Sequence, residues 1–273
     1  MNTIFNESCL DTMKRPELKG NVDLVITSPP YNTSRVGATD KYNSRYDTFQ
    51  DFKSDDDYID WTIDIFNGYD NVLRKDGCVL YNISYSSEKP HLIWLVIADI
   101  IKRTNFTTAD CVVWKKSTAL PNNRSKNKLT RIIEYVFVFV RKSEIKTFDA
   151  NKKVVSVIEK TGQANYENVY NFFEAKNNDG SNNLNKATFS TDFVKKLIDM
   201  YAKNNSLIYD SFMGIGTTAK GCVETKNKYV GSELSSAQIS DFKAWEEKRK
   251  EKEFSQPSLF LLLLFGNAVD FFH

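Results

Sequence analysis

The chain has 273 residues, with 37 Lys and Arg against 35 Asp and Glu, and a formal net charge of +2. At 41% hydrophobic and 26% charged residues it has enough apolar material for one large α/β core and no basic excess, so any nucleic-acid surface has to be local. The apolar run Leu259–Phe265 is too short to cross a bilayer, and nothing at Met1 reads as a signal peptide.

In chain order, Thr3–Phe5 reads as a short strand and Val22–Ile26 as a buried one. Residues 32–56 form a long polar stretch that suits a clamp or lid over a ligand, or simple disorder. Asp55–Leu73 carries Ile59, Ile63, Phe66, Tyr69 and Leu73 at helical spacing. Gly77–Ser84 predicts a strand, Leu92–Ile101 an apolar helix, Ala109–Trp114 a strand and Ile132–Val140 a strongly β-prone run. The acid-free window Val112–Ile133 holds Lys115, Lys116, Arg124, Lys126, Lys128 and Arg131, and reads as a phosphate track or as a solvated loop face. Residues 143–184 turn rich in Asn, Lys and Glu, too polar for a core, and suit a small recognition insert. Thr191–Lys203 predicts an amphipathic helix, and Ser235–Lys252 a final one. Strands alternating with helices predict a doubly wound, mostly parallel sheet with helices on both faces. Cys9, Cys78, Cys111 and Cys222 are scattered without a C-x-x-C pair, which implies reduced thiols, a cytoplasmic protein and no zinc site. With His91 and His273 the only histidines, histidine acid–base chemistry is not expected.

Two segments carry chemistry. Thr27-Ser28-Pro29-Pro30-Tyr31 follows the Val22–Ile26 strand. Two prolines lack N–H groups and fix φ, so the chain must leave the sheet in a stiff turn. That turn presents a hydroxyl, free carbonyls and an aromatic ring at the carboxyl end of a strand, where α/β sheets bind ligands. A flipped-out base could stack on Tyr31 and donate its amine protons to Ser28 and a carbonyl; a rigid surface turn or a polyproline ligand reads the same residues. The second segment, Leu207–Thr218, ends a strand at Asp210, turns through Gly214 and Gly216, and opens a helix near Thr217. A further strand, Lys228–Leu234, carries Glu233 at the spacing at which an acid reaches ribose hydroxyls. Neither a Walker loop nor a complete G-x-G-x-x-G is present, since Ala219 holds the third glycine position.

Together these residues resemble the amino-methyltransferases that transfer a methyl group from S-adenosylmethionine to exocyclic base nitrogens of DNA. Thr27–Tyr31 looks like their catalytic motif, and Asp-Ser-Phe-Met-Gly-Ile-Gly-Thr-Thr (210–218) like D-P-F-x-G-x-G-T-T, with Ser211 in place of proline. Catalytic motif first and cofactor motif last is the circularly permuted order of the β group. Asn6–Asp11 lies where that family has G-D-C-L-E, with Ser8 where Asp is common. Asn185–Phe189 looks like H-P-A-x-F, with His and Pro both replaced, while Trp114-Lys115 and Arg131–Tyr135 match later strands. No Pro-Cys pair, the nucleophile motif of cytosine-C5 methyltransferases, is present.

The resemblance implies a Rossmann-like methyltransferase sheet in which residues 1–142 are the catalytic half, 143–184 a target-recognition insert, 185–252 the cofactor half and 253–273 an apolar tail without an assigned role. It implies that Ser28, Pro29, Pro30 and Tyr31 are catalytic. It implies S-adenosylmethionine contacts from Ser8, Cys9, Thr27, Asn185, Ala187, Phe189, Asp210, Ser211, Phe212, Met213, Gly214, Gly216, Thr217, Thr218 and Glu233, and no metal. Arg35, Lys41, Arg45, Lys116, Arg124, Lys126 and Lys128 are the expected contacts to duplex DNA. A second copy of the chain and a cognate restriction endonuclease are further expected partners. The first motif residue is more often Ser in cytosine-N4 enzymes and Asp in adenine-N6 enzymes, so Ser28 points to cytosine N4. Adenine-N6 methylation, a non-catalytic DNA-binding subunit and an RNA methyltransferase are the rivals.

Overall fold

The computed structural model describes residues 1–32, 53–85, 89–119, 121, 126–180 and 188–255. The amino-terminal half runs β1 (Asn2–Phe5), a short α1 (Cys9–Thr12), β2 (Val22–Thr27), α2 (Asp55–Val72), β3 (Leu73–Ile83), α3 (Leu92–Arg103), β4 (Phe106–Lys116) and β5 (Ile133–Arg141). The remainder runs β6 (Val154–Ile158), β7 (Gln163–Tyr166), β8 (Phe172–Ala175), α4 (Thr191–Tyr201), β9 (Leu207–Asp210), α5 (Thr217–Glu224), β10 (Lys228–Ser232) and α6 (Ser236–Ser255).

Among the described residues, eight strands form one sheet in the order β1-β10-β9-β2-β3-β5-β4-β8, and of these only β5 runs against the rest, pairing antiparallel with β3 and β4. Strand alternation sorts the side chains onto two faces. Val25, Val79, Tyr81, Phe137 and Phe139 face α1, α2 and α3. Leu24, Ile26, Leu80, Val136 and Val138 face α4, α5 and α6. Phe66 anchors α2, with ring centroids 4.9 Å from Phe139 and 5.3 Å from Tyr81.

The expected doubly wound sheet is therefore present, and its strand order decides where a ligand sits. From β9 the chain crosses through α5 to β10 on one side, and from β2 it crosses through α2 to β3 on the other. Because β2 and β9 are neighbours, these opposite departures leave a crevice at their carboxyl ends. Asp210 and Thr27 terminate those strands.

The described part of the 143–184 segment, residues 143–180, carries strands that the sequence reading does not place. Val154–Tyr166 folds as a separate two-stranded hairpin, with Val154, Val155, Val157 and Ile158 exposed. Phe172–Ala175 joins the main sheet beside β4. Ala175 is buried there, and its carbonyl accepts from the Trp114 indole at 3.2 Å and from the Ser117 amide at 3.0 Å. β3 also starts earlier than the Gly77 read from sequence, directly at the end of α2.

Candidate active site

A cavity of about 390 Å³ opens at the carboxyl ends of the strands. One row of side chains forms part of its lining. On the face packed by α4, the apolar series Leu24-Ile26, Cys78-Leu80, Val138-Val136 and Val112-Trp114 each continue, two residues on, into a polar group. Those groups are Ser28, Asn82, Glu134 and Lys116, and all four line the cavity. Period-two geometry thus delivers four polar side chains from four adjacent strands to one place.

The catalytic turn is held from behind. Tyr58 of α2 donates to the Pro30 carbonyl at 2.6 Å. Asn32 then adopts φ +52° and clasps the backbone N–H and C=O of Lys53, each at 3.0 Å. Tyr31 turns its hydroxyl toward the strand ends, where it lies 3.1 Å from Ser28 Oγ, 3.2 Å from Glu134 Oε2 and 3.4 Å from Asn82 Oδ1. The Lys116 ammonium bonds the other Glu134 oxygen, and the Asn82 amide nitrogen donates to the Tyr135 carbonyl at 3.2 Å.

The second motif meets the first through Asp210. Its Oδ1 accepts from Thr27 Oγ1 at 2.8 Å and from the Phe212 amide at 3.0 Å, and its Oδ2 accepts from Thr218 Oγ1 at 2.5 Å. Burial pushes this carboxyl up to about 6, against the opposing pull of those hydrogen bonds. Thr27 spends its only proton on Asp210, so the 3.1 Å contact between Thr27 and Ser211 is donated by Ser211. Tyr69 in turn donates to Ser211 at 2.6 Å. Ser211, standing where the resemblance expects proline, is thereby a bonded link between α2 and both motifs.

Glu233 follows β10 directly. Its Oε2 accepts from the Gly214 amide at 2.7 Å and its Oε1 from the Ser235 amide at 2.8 Å. The carboxylate lines the cavity, and its acceptor oxygens suit vicinal hydroxyls. Phe212 beside it contacts the Trp61 ring at 5.5 Å. Ser8 lines the same end of the cavity while its hydroxyl caps α1 by accepting from the Leu10 amide. Cys9 is buried, and burial pushes its thiol up to about 12, so it contributes shape rather than a nucleophile. An acidic acceptor pair, an aromatic ring and small side chains fit the nucleoside half of S-adenosylmethionine.

The residues named from sequence separate into four groups. Ser8, Cys9, Ser28, Pro29, Pro30, Tyr31, Lys116, Phe189, Ser211, Phe212 and Glu233 line the cavity. Thr27, Asp210, Met213, Gly216, Thr217 and Thr218 are buried behind that wall or at the start of α5, and Gly214 contributes its amide to Glu233. Arg35, Lys41, Arg45, Arg124, Asn185 and Ala187 lie outside the described residues, as does the apolar run 259–265. Lys126 and Lys128 are exposed. Lys116, expected on DNA phosphates, instead lines the cavity, where it pairs with Glu134, its diagonal neighbour across the β4–β5 ladder, in which Trp114 is the residue directly opposite Glu134. Sequence reading missed Trp61, Asn82 and Glu134. Trp61 lies within the Asp55–Leu73 helix but off the apolar stripe that reads as core, whereas the other two are flagged by a polar residue ending an alternating strand.

The DNA methylase family model matches residues 22–244. Over 258 residues the chain is 23% identical to the type II methyltransferase M.BglII of Bacillus subtilis, covering 86% of this chain and 66% of that one. It is 21% identical to the DNA adenine methyltransferase YhdJ of Escherichia coli K12, covering 87% and 80%. Among solved structures, the cytosine-N4-specific PvuII DNA methyltransferase superposes with a TM-score of 0.67 at 16% identity, over 88% of this chain and 84% of that one. The M1.HpyAVI–SAM complex superposes at 0.59 with 20% identity, over 89% and 98%. The family model spans most of the chain and its two motif turns meet in one cavity, so the chain belongs to the N6/N4 DNA methylase family and is an S-adenosylmethionine-dependent DNA methyltransferase.

Proposed function

We propose that this methyltransferase modifies the exocyclic N4 amine of cytosine in duplex DNA, taking the base out of the stack to reach it. The observation that carries the choice of base is Ser28. A hydroxyl, not a carboxylate, heads the catalytic turn on the cavity wall. In the family that residue is more often Ser for cytosine and Asp for adenine.

The amine of a base is a poor nucleophile because its lone pair is delocalised into the ring. Ser28 Oγ and the Pro29 carbonyl each accept a hydrogen bond from the amine, which favours a pyramidal nitrogen with the pair free. Tyr31 stacks on the base, and Glu233 with Phe212 holds the nucleoside of the methyl donor. Bound S-adenosylmethionine supplies an electrophilic sulfonium methyl group. Positioning and electrostatics supply the rest. Lys126, Lys128, Arg124, Arg35, Lys41 and Arg45 belong to the DNA-facing side of this reading, with the 143–184 segment reading sequence. A cognate endonuclease for the same site belongs to it as well.

Similarity to the Escherichia coli adenine enzyme favours a second reading, N6-methyladenine. One assay separates them. Nucleosides from DNA of expressing cells should contain N4-methylcytosine by mass spectrometry. N6-methyladenine alone would overturn the choice of base and leave the enzyme class intact.

A further inference from the structure

A serine at the head of the catalytic turn raises a problem that an aspartate does not. A carboxylate can only accept, whereas a hydroxyl can accept or donate. An amine that must give up protons gains nothing from a serine whose own hydrogen points at it.

The wall of the cavity solves this. Tyr31 OH faces two groups that can only accept. One is Glu134 Oε2 at 3.2 Å, and the other is Asn82 Oδ1 at 3.4 Å. Asn82 is held in that sense because its amide nitrogen is spent on the Tyr135 carbonyl. Glu134 is held because Lys116 occupies its other oxygen. Tyr31 has one proton, and it goes to that side. The 3.1 Å contact with Ser28 Oγ is then donated by Ser28. With its hydrogen drawn toward Tyr31, Ser28 presents only lone pairs to the cavity.

Resting on the amine-methylation reading above, we propose that Glu134, clamped by Lys116, is a positioning residue. It sets the direction of the chain Ser28→Tyr31→Glu134 and so makes Ser28 an obligate acceptor for the base amine. Neither residue was singled out for this role by the motifs, and neither needs to touch the base. Tyr31 gains a function beyond stacking, since its hydroxyl transmits the polarity.

Glu134→Gln is the discriminating variant. Lys116 can bond only the amide oxygen, which leaves the amide NH₂ facing Tyr31. Asn82 Oδ1, at 3.4 Å, is then the acceptor left on that side, and at that length it holds the Tyr31 proton weakly, so the chain is free to reverse and Ser28 to point its hydrogen at the amine. We expect kcat to fall by about 10²-fold, as when a preorganised polar group is lost. KM for DNA and the calorimetric affinity for S-adenosylmethionine should stay near wild type. Tyr31→Phe breaks the chain without reversing it and should lose only about tenfold, with Glu134→Gln adding little in that background because the two act as one unit. Lys116→Met added to Glu134→Gln frees the amide to flip and should restore part of kcat, which a merely structural role does not predict. An unchanged kcat in Glu134→Gln, an equal loss in the Tyr31→Phe background, or a loss that appears instead as weakened cofactor binding would each overturn the proposal. Wild-type production of N6-methyladenine would remove the cytosine assignment alone, because the same chain addresses either exocyclic amine. No methylated base from the wild type would remove both.

Discussion

Gly216 shows how one residue changes meaning once its surroundings are known. Its φ is +79°, and a Cβ there would sit 2.2 Å from Phe242 Cδ2 of α6. A side chain at this position meets protein core, not cofactor space. Gly216→Val should therefore destabilise the fold by about 1–3 kcal/mol through overpacking alone, read by urea unfolding. Glu233→Ala is the cleaner probe of the cofactor site. Losing hydrogen bonds to a charged acceptor costs roughly 1.5–3 kcal/mol, so S-adenosylmethionine affinity should fall about 10- to 100-fold by calorimetry. Asp210 predicts a pH effect. Its native pKa of about 6 lies above the ordinary 3.8, so the folded chain holds a proton that the unfolded chain releases. Its contribution is fully present below about pH 4 and declines as pH rises to about 6, by on the order of 3 kcal/mol. Asp210→Asn should abolish that decline. Denaturant titrations between pH 4 and 7 will show the wild type losing ground to the variant as pH rises.

At the scale of elements, α2 serves both core and site. Phe66 packs edge-on against Tyr81, Phe106 and Phe139, while Tyr58, Trp61 and Tyr69 of the same helix reach the two motif turns or their neighbours. Phe66→Ala should cost about 3–5 kcal/mol of stability and should loosen the catalytic turn with the core. The β6–β7 hairpin behaves oppositely. A two-stranded sheet with apolar residues exposed on both strands stabilises little beyond itself. Its ends lie close, with the Glu167 amide donating to the Lys153 carbonyl at 2.9 Å. Replacing 154–166 by a short Gly-Ser linker should leave melting temperature and cofactor affinity nearly unchanged while reducing discrimination between DNA sequences in a filter-binding competition. Unchanged discrimination would move target recognition elsewhere.

For the whole molecule, a net charge of +2 cannot supply DNA affinity by itself. Affinity must come from placed cations, and one of the cations expected for it, Lys116, is held inside the cavity by Glu134. Lys126 and Lys128 are exposed. Each phosphate contact they make should contribute about 0.9 to the slope of log affinity against log salt, so Lys126→Ala with Lys128→Ala should flatten it by nearly two units. An unaltered slope would make this stretch a solvated face.

The sequence by itself determined the layered α/β class, the main strands and helices, and the two motifs, because each rests on local patterning. Buried strands next to Thr27 and Asp210, a proline pair that must turn, and glycines before a helix are all short-range facts. It did not reveal the β6–β7 hairpin, whose exposed strands carry no inside–outside alternation, or the sheet membership of Phe172–Ala175, where only Ala175 is buried. Tertiary structure alone decided what Lys116 does. Its partner Glu134 is 18 residues away along the chain yet across one ladder in space. Tertiary structure also decided the direction in which Ser28 points its hydrogen. That direction is fixed by acceptors on β3 and β5, and a hydroxyl's polarity belongs to its neighbours rather than to the residue that carries it.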